Sequence, residues 1–122
     1  MKKLVNSAIR TYSFKYDFSE DGGTQGVVIK TGIFLPANVI IPNFRFSSIT
    51  PLVAGGAVPL EIYLGIQLLA QPLIAAINSN GTTGTLPTTL SPAVAELTIK
   101  PTLFDITAGS FICLFFFTQV RI

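Results

Sequence analysis

The stretch Phe111-Ile112-Cys113-Leu114-Phe115-Phe116-Phe117 places seven apolar residues in a row near the end of this 122-residue sequence. Successive side chains of a strand point to opposite faces, so a strand with one solvated face alternates apolar and polar residues. The stretch therefore predicts a strand that is apolar on both faces. One face can pack into the core of the domain. The other needs a second cover, for which a domain of this size has little spare material.

Two arrangements would cover that second face. The strand could be central in a sheet and covered by its own domain, or another copy of the chain or a partner surface could cover it. We favour the second arrangement and take residues 111–117 as the candidate oligomer or partner interface. The sequence leaves open which alternate set faces the partner: Phe111, Cys113, Phe115 and Phe117, or Ile112, Leu114 and Phe116.

The amino-acid composition favours a protein that assembles over a domain that is monomeric in water. The length fits one domain over residues 1–122, with residues 1–8 as an extended N-terminal arm. Charged residues make up 11% of the chain and hydrophobic residues 49%, whereas ordinary soluble domains carry about 25% charged residues. So little charge suggests that much of the exterior is buried in contacts.

Several classes of partner are not expected. Residues 60–77 and 110–117 are too short or too interrupted to span a membrane, which takes about 20 apolar residues. Met1–Ser7 has two lysines without a following apolar run, so no secretory signal is expected. The net charge is +2 with scattered cations, which argues against nucleic acid binding.

Cys113 is the single cysteine and is predicted to be a small buried hydrophobe.

Short strands account for most of the chain. Apolar and polar side chains alternate strictly over residues 11–18, and a turn over residues 19–26 leads to a strand at 27–34, which predicts a hairpin over 9–34. A third strand over 39–50 contains Pro42 and should be bulged or at an edge. Leu35–Asn38 and Ile106–Gly109 form two similar corners, whose Asn38 and Gly109 tolerate a left-handed backbone.

The remaining segments complete an all-β pattern. Strands are expected at 60–67, 95–100 and 110–117, with loops at 51–59 and 78–92. Residues 68–77 are predicted to be a short strand or an irregular crossing, since Pro72 rules out a regular helix through the segment. Seven or eight antiparallel strands with these turns predict a single-domain β-sandwich that is jelly-roll-like.

Catalytic chemistry has little support in the residues. The chain has no histidine, which excludes the nucleophile pairs and metal sites that depend on it. Asp17, Glu20 and Asp21 are read as a solvated turn, with a weak Ca²⁺ site as the alternative. Tyr12 and Tyr16 are read as core residues, with sugar stacking as the alternative. We expect no enzyme activity, no cofactor and no metal.

Several pieces occur in an order that resembles a group of small phage virion proteins of the head-decoration, head-fibre or minor structural type. The resemblance covers residues 11–118, although this chain is shorter, poorer in charge and reduced in its central region. The pieces are Phe18–Gly26 with Val27-Val28-Ile29, Leu35–Ile40, Gly55-Gly56-Ala57, Ile62–Gly65, Leu68-Leu69-Ala70 and Leu103–Phe111.

The resemblance implies a compact β-sandwich on the capsid exterior or at a vertex, assembled as a homo-oligomer, often a trimer, together with other capsid proteins. It implies no catalytic residues, and its attachment residues do not map onto this chain. Our first hypothesis is a structural virion protein that self-associates and decorates or builds a phage capsid. The alternative is a receptor- or glycan-binding spike or fibre tip that uses the 78–92 loop and the tyrosines.

Overall fold

A computed structural model describes residues 10–56, 59–86 and 93–119 of the chain. These residues form nine strands and two short helices. The strands are β1 (Arg10–Asp17), β2 (Ile29–Leu35), β3 (Val39–Ile40), β4 (Asn43–Ala54), β5 (Leu60–Leu64), β6 (Gln67–Ala70), β7 (Thr82–Gly84), β8 (Ala95–Pro101) and β9 (Ile106–Gln119). The helices are α1 (Phe18–Asp21) and α2 (Ile74–Asn78).

The strands form two antiparallel sheets with the core between them. The first, here called the β9 sheet, has the order β1-β9-β4-β7, with β3 also paired to β9. The second, here called the β8 sheet, has the order β2-β8-β5-β6. The predicted all-β antiparallel sandwich is confirmed. The strand count exceeds the predicted seven or eight because two very short strands, β3 and β7, add to the β9 sheet.

The predicted hairpin over residues 9–34 is wrong. β1 and β2 belong to different sheets, and β1 pairs with β9 over its whole length, from Arg10 opposite Phe117 to Asp17 opposite Ser110. Aromatic packing accounts for this choice, because the ring of Tyr16 lies 5.4 Å from that of Phe111. The segment between β1 and β2 contains α1 and crosses from one sheet to the other instead of closing a turn.

Pro42 interrupts the long third strand as expected. The predicted strand over 39–50 divides into β3 and β4 around this proline, and both parts pair with β9. β4 also continues through Pro51 to Ala54, into the segment predicted as a loop. Asn38 and Gly109 have φ values of 59° and 115°, so both corners have the left-handed backbone that the sequence indicated.

The segments after β5 differ from expectation. Pro72 excludes a long helix over residues 68–77, but β6 ends before it and the short helix α2 begins after it, at Ile74. Ile77 on α2 is fully buried, so burial of apolar side chains stabilises a helix too short to form alone. Part of the predicted 78–92 loop is the strand β7, which pairs with β4. Residues 87–92 of that loop lie outside the described residues, as do residues 1–8 of the predicted arm.

The two sheets enclose a core rich in aromatic side chains. Phe44 and Phe46 of β4 are buried, and their rings lie 5.5 Å from Phe115 and 5.6 Å from Phe111, respectively. Such pairs add about 0.5–1.5 kcal/mol each beyond the area that they bury. The fold therefore depends strongly on the side chains that β9 directs inward.

Tyr16 gives the fold a testable pH dependence. Its hydroxyl donates a hydrogen bond of 2.5 Å to the carbonyl of Gly22. Burial, together with the negative charges of Asp21 and Asp17, raises the pKa of Tyr16 to about 12. A pKa that is higher in the folded state than the usual value near 10 gives stability that is present below pH 10 and is lost as the pH rises from about 10 to 12.

We expect Tyr16→Phe to lower the free energy of unfolding by about 1 kcal/mol at pH 7, because the hydrogen bond to Gly22 is lost. Between pH 10 and 12 the variant should lose less stability than the wild type, because it cannot ionise at this position. Thermal denaturation of both proteins at pH 7, 10 and 12 measures the difference. An equal loss in both proteins would contradict the role given to Tyr16.

Candidate interface on the outer face of the β9 sheet

The two alternate sets of β9 side chains have different environments. Phe111, Cys113, Phe115 and Phe117 point inward, and each is at most 2% exposed. Ile112 and Phe116 point outward and are 39% and 40% exposed, and Leu114 between them is half-buried. The apolar residues Ile112, Leu114 and Phe116, here called the β9 stripe, therefore form the part of the candidate interface that is open to a partner.

The β9 stripe runs along the middle of its sheet. β1 flanks β9 on one side, where Ser13 lies opposite Leu114 and Lys15 opposite Ile112. β4 also pairs with β9, with Arg45 opposite Leu114. Because β9 already pairs with strands over most of its length, a partner of the stripe must contact its side chains. The surface is thus an apolar row between two polar rows.

Ile40 adds an exposed apolar side chain beside the end of this row and was not among the predicted interface residues. It lies on β3 opposite Thr118, the next outward position of β9 after Phe116, and is 47% exposed. The apolar pair Val39-Ile40 after the corner at Asn38 was the available signal. Its position could not be predicted without knowing that β3 pairs with the end of β9.

The outer face of the β8 sheet has the opposite character. Glu61 accepts a hydrogen bond of 2.9 Å from the Tyr63 hydroxyl and one of 3.2 Å from the Gln71 amide. The Lys100 ammonium lies 3.5 Å from the same carboxylate and 5.1 Å from the centre of the Tyr63 ring. The polar groups on this face form hydrogen bonds and an ion pair with one another and are solvated. We therefore do not expect a partner to cover this face.

Other large apolar side chains are also exposed. Most of them lie at turns, strand ends or edge strands, where exposed apolar residues are common in proteins: Val27, Val28, Phe34, Ile66, Leu73, Leu86, Val94, Leu103 and Phe104. Ile49 and Val53 are exposed on β4, where its register with β9 shifts. Among the described residues, the β9 stripe alone has apolar side chains at three successive outward positions of a central strand, two exposed and one half-buried.

Cys113 belongs to the core and not to a reactive site. It is fully buried, and burial raises the pKa of its thiol well above the usual range. A thiol that stays protonated is a poor nucleophile. The prediction of a small buried hydrophobe is confirmed.

The acidic turn at the end of β1 has a structural role. The Asp17 carboxylate accepts hydrogen bonds from the Ser19 amide (3.0 Å) and hydroxyl (2.7 Å), and these bonds hold the pKa of Asp17 below its usual value. The Asp21 carboxylate accepts a hydrogen bond of 2.9 Å from the Asp17 amide. The predicted turn is therefore a single capped helical turn. Within the described ranges, no three acidic, cysteine or histidine side chains are grouped as metal ligands.

The two tyrosines considered for sugar stacking have separate environments. Tyr16 is 1% exposed, as predicted for a core residue, so its ring face is not available to a ligand. The prediction of a core residue is wrong for Tyr12, which is 38% exposed although its ring packs edge-on against Phe117 at 5.1 Å. Tyr12 also borders a shallow groove between β1 and β2 with Ile33 and Phe34. The structure thus does not bring the two tyrosines together as one stacking surface.

Comparison with known proteins gives similarity of fold. No family model matches the chain, and no curated protein matches it. A chain from the acidic stable capsid structure of Helicobacter pylori bacteriophage KHP30 superposes with a TM-score of 0.65 at 10% identity, over 98% of this chain and 94% of that one. A chain from the capsid of Ralstonia phage GP4 superposes with a TM-score of 0.67 at 12% identity, over 100% and 92%. In the part of the chain that the structure describes, no helix is long and apolar enough to cross a membrane.

Proposed function

We propose that this chain is a non-enzymatic structural protein of a phage virion, which self-associates through the outer face of the β9 sheet and decorates or builds the capsid. The observation that carries the proposal is the β9 stripe: three apolar side chains lie in a row on a central strand, and their strand is already paired on both sides. Covering this row removes apolar surface from water. This burial stabilises the assembly by about 25 cal/mol per Å² of apolar area, before the costs of association are subtracted.

The fold comparisons support the virion setting. Both similar chains come from phage capsid structures, and the superpositions cover nearly the whole of this chain and of each of the two. The strand orders β1-β9-β4-β7 and β2-β8-β5-β6 also support the jelly-roll-like arrangement, which occurs in viral capsid domains. The absence of histidine from the sequence is consistent with a structural role.

We further propose the capsid exterior or a vertex as the location, with other capsid proteins as neighbours. For self-association through the β9 stripe we propose a trimer. This choice follows the resemblance to small virion proteins, and a three-fold contact would bring three stripes together around one axis. The polar rows that contain Ser13 and Arg45 would then form the rim of each contact, as polar residues do in other interfaces.

Size-exclusion chromatography with light scattering tests self-association. We expect the wild-type protein to elute as an assembly of three or more chains at micromolar concentration and to dissociate on dilution. Each chain contributes 13.1 kDa to the measured mass. A soluble monomer that persists at high micromolar concentration would argue against the proposal.

A further inference from the structure

The sandwich has one long regular sheet edge among its described strands. β1 lies at the end of its sheet, and all eight of its residues pair with β9 without a register shift. The other edge strands are interrupted or short. β2 contains an irregularity between Lys30 and Phe34, β6 has four residues and an irregular pairing, and β7 has three residues.

A regular free edge is a template for another strand. Its unpaired backbone N–H and C=O groups can continue the ladder into a second chain, and proteins usually blunt such edges with bulges, prolines or short strands. β1 contains no proline and no bulge. Its edge is therefore suited to pairing with another strand.

The charges at the two ends of β1 indicate that the strand pairing with this edge is β1 of a second copy. Arg10 begins the strand, is exposed, and makes no ion pair with any described residue. The exposed acidic side chains Glu20 and Asp21 lie on α1, directly after the end of the strand. Two copies of β1 in antiparallel pairing would bring the basic end of each copy to the acidic end of the other. A parallel pairing would bring like charges together.

The side chains of β1 also match one another in this orientation. In the register centred on Phe14, Tyr12 of one copy lies opposite Tyr16 of the other, and Lys15 lies opposite Ser13. Residues of the same kind then share each face, and no like charges lie directly opposite each other, which would be destabilising. This register aligns residues 11–17 of the two copies, and the ladder can extend as far as Lys15, since the Asp17 amide already donates to the Asp21 carboxylate of its own chain.

We propose that two copies of this chain pair antiparallel along their β1 edges, with Arg10 of each copy beside Glu20 of the other. The contact is isologous, with a two-fold axis near Phe14, and it joins two β9 sheets into one continuous sheet. It rests on the proposed self-association but uses a different surface, so it would connect assemblies that the β9 stripe builds.

The test isolates the edge contact and then reverses its charges. Phe116→Asp removes the contact of the β9 stripe, and sedimentation analysis of this variant should show a monomer–dimer equilibrium. Adding Arg10→Glu, or separately Glu20→Arg, should weaken dimerisation about tenfold, because both symmetric ion pairs become repulsive. An equimolar mixture of the two charge variants should dimerise as tightly as their parent, since both pairs are then complementary.

Three outcomes would overturn the inference: a Phe116→Asp variant that stays monomeric at high micromolar concentration, dimerisation unaffected by either charge reversal, or a mixture that does not recover. If the wild-type protein assembles but the variants give any of these three outcomes, the edge contact is wrong and the contact through the β9 stripe is retained. If the wild type is itself monomeric, both proposals fail. The same test can be made without Phe116→Asp. In the otherwise wild-type chain, Arg10→Glu should break the edge contact between trimers and reduce the largest assemblies to single trimers.

Discussion

Replacing Phe115 by alanine is expected to lower the free energy of unfolding by about 3–5 kcal/mol, the usual cost of removing a buried phenylalanine. Phe115 is 0% exposed and packs against the rings of Phe44 and Tyr12, at 5.5 and 6.2 Å. Its loss would leave a cavity between the two sheets. Domains have only about 5–15 kcal/mol of total stability, so this one substitution should leave the protein marginally folded.

The adjacent residue provides the matched control. Phe116→Ala removes the same side chain from the other face of β9, where it is 40% exposed, and should cost less than about 1 kcal/mol in the dissociated chain. Chemical denaturation of both variants, at a protein concentration low enough to prevent assembly, gives the comparison. Similar losses for the two variants would show that β9 does not divide into an inner and an outer face as described.

Phe116→Asp is expected to leave the fold intact and to raise the dissociation constant of the proposed trimer at least about a hundredfold. The carboxylate would have to leave water without a partner charge when the stripe is covered, and this desolvation costs several kcal/mol. Light scattering across a dilution series measures the change, and circular dichroism confirms that the variant is folded. The mass should fall from the trimer-based assembly to no more than two chains.

Thr98→Asp is the control for this second prediction. Thr98 lies on β8, between the buried residues Leu97 and Ile99, and so faces outward from the opposite sheet. The substitution adds the same charge to a central strand, but on a face that we do not expect to be covered. Assembly should be unchanged. If both aspartate variants dissociate the protein equally, the effect is one of net charge and the β9 stripe is not the contact.

Much of the fold could be predicted from local patterns in the sequence. The alternation from Thr11 to Phe18 and the run from Phe111 to Phe117 both mark real strands, β1 and β9. Pro42 marks a real interruption, and Asn38 and Gly109 mark real left-handed corners. Each of these features is determined by the residue itself or by its immediate neighbours, which is why one sequence is enough to show it.

Pairing between distant strands could not be predicted in this way. The hairpin over residues 9–34 was the simplest connection, but β1 pairs with a strand about a hundred residues further along the chain. Contacts such as that of Tyr16 with Phe111 decide the pairing, and no local pattern records them. The short helix α2 was missed for a related reason, since tertiary burial of Ile77 stabilises it.

The candidate interface could be predicted as a segment but not as a face. Both alternate sets of side chains in the Phe111–Phe117 stretch are apolar, so the alternation along the strand does not show which set faces the core. The direction follows from the neighbouring strands: Phe14 and Phe46 lie opposite Cys113 and point into the core, whereas Ser13 and Arg45 lie opposite Leu114 and point out. That information exists only once the register is known.

The central claim is that this chain is a virion component whose β9 stripe is covered in the assembled particle. A density map of the intact particle at side-chain resolution tests it most directly. We predict that this chain occupies the capsid exterior or a vertex, with Ile112, Leu114 and Phe116 within about 4.5 Å of side chains of a neighbouring subunit. A particle that lacks the chain, or one in which these three side chains face solvent, would contradict the account.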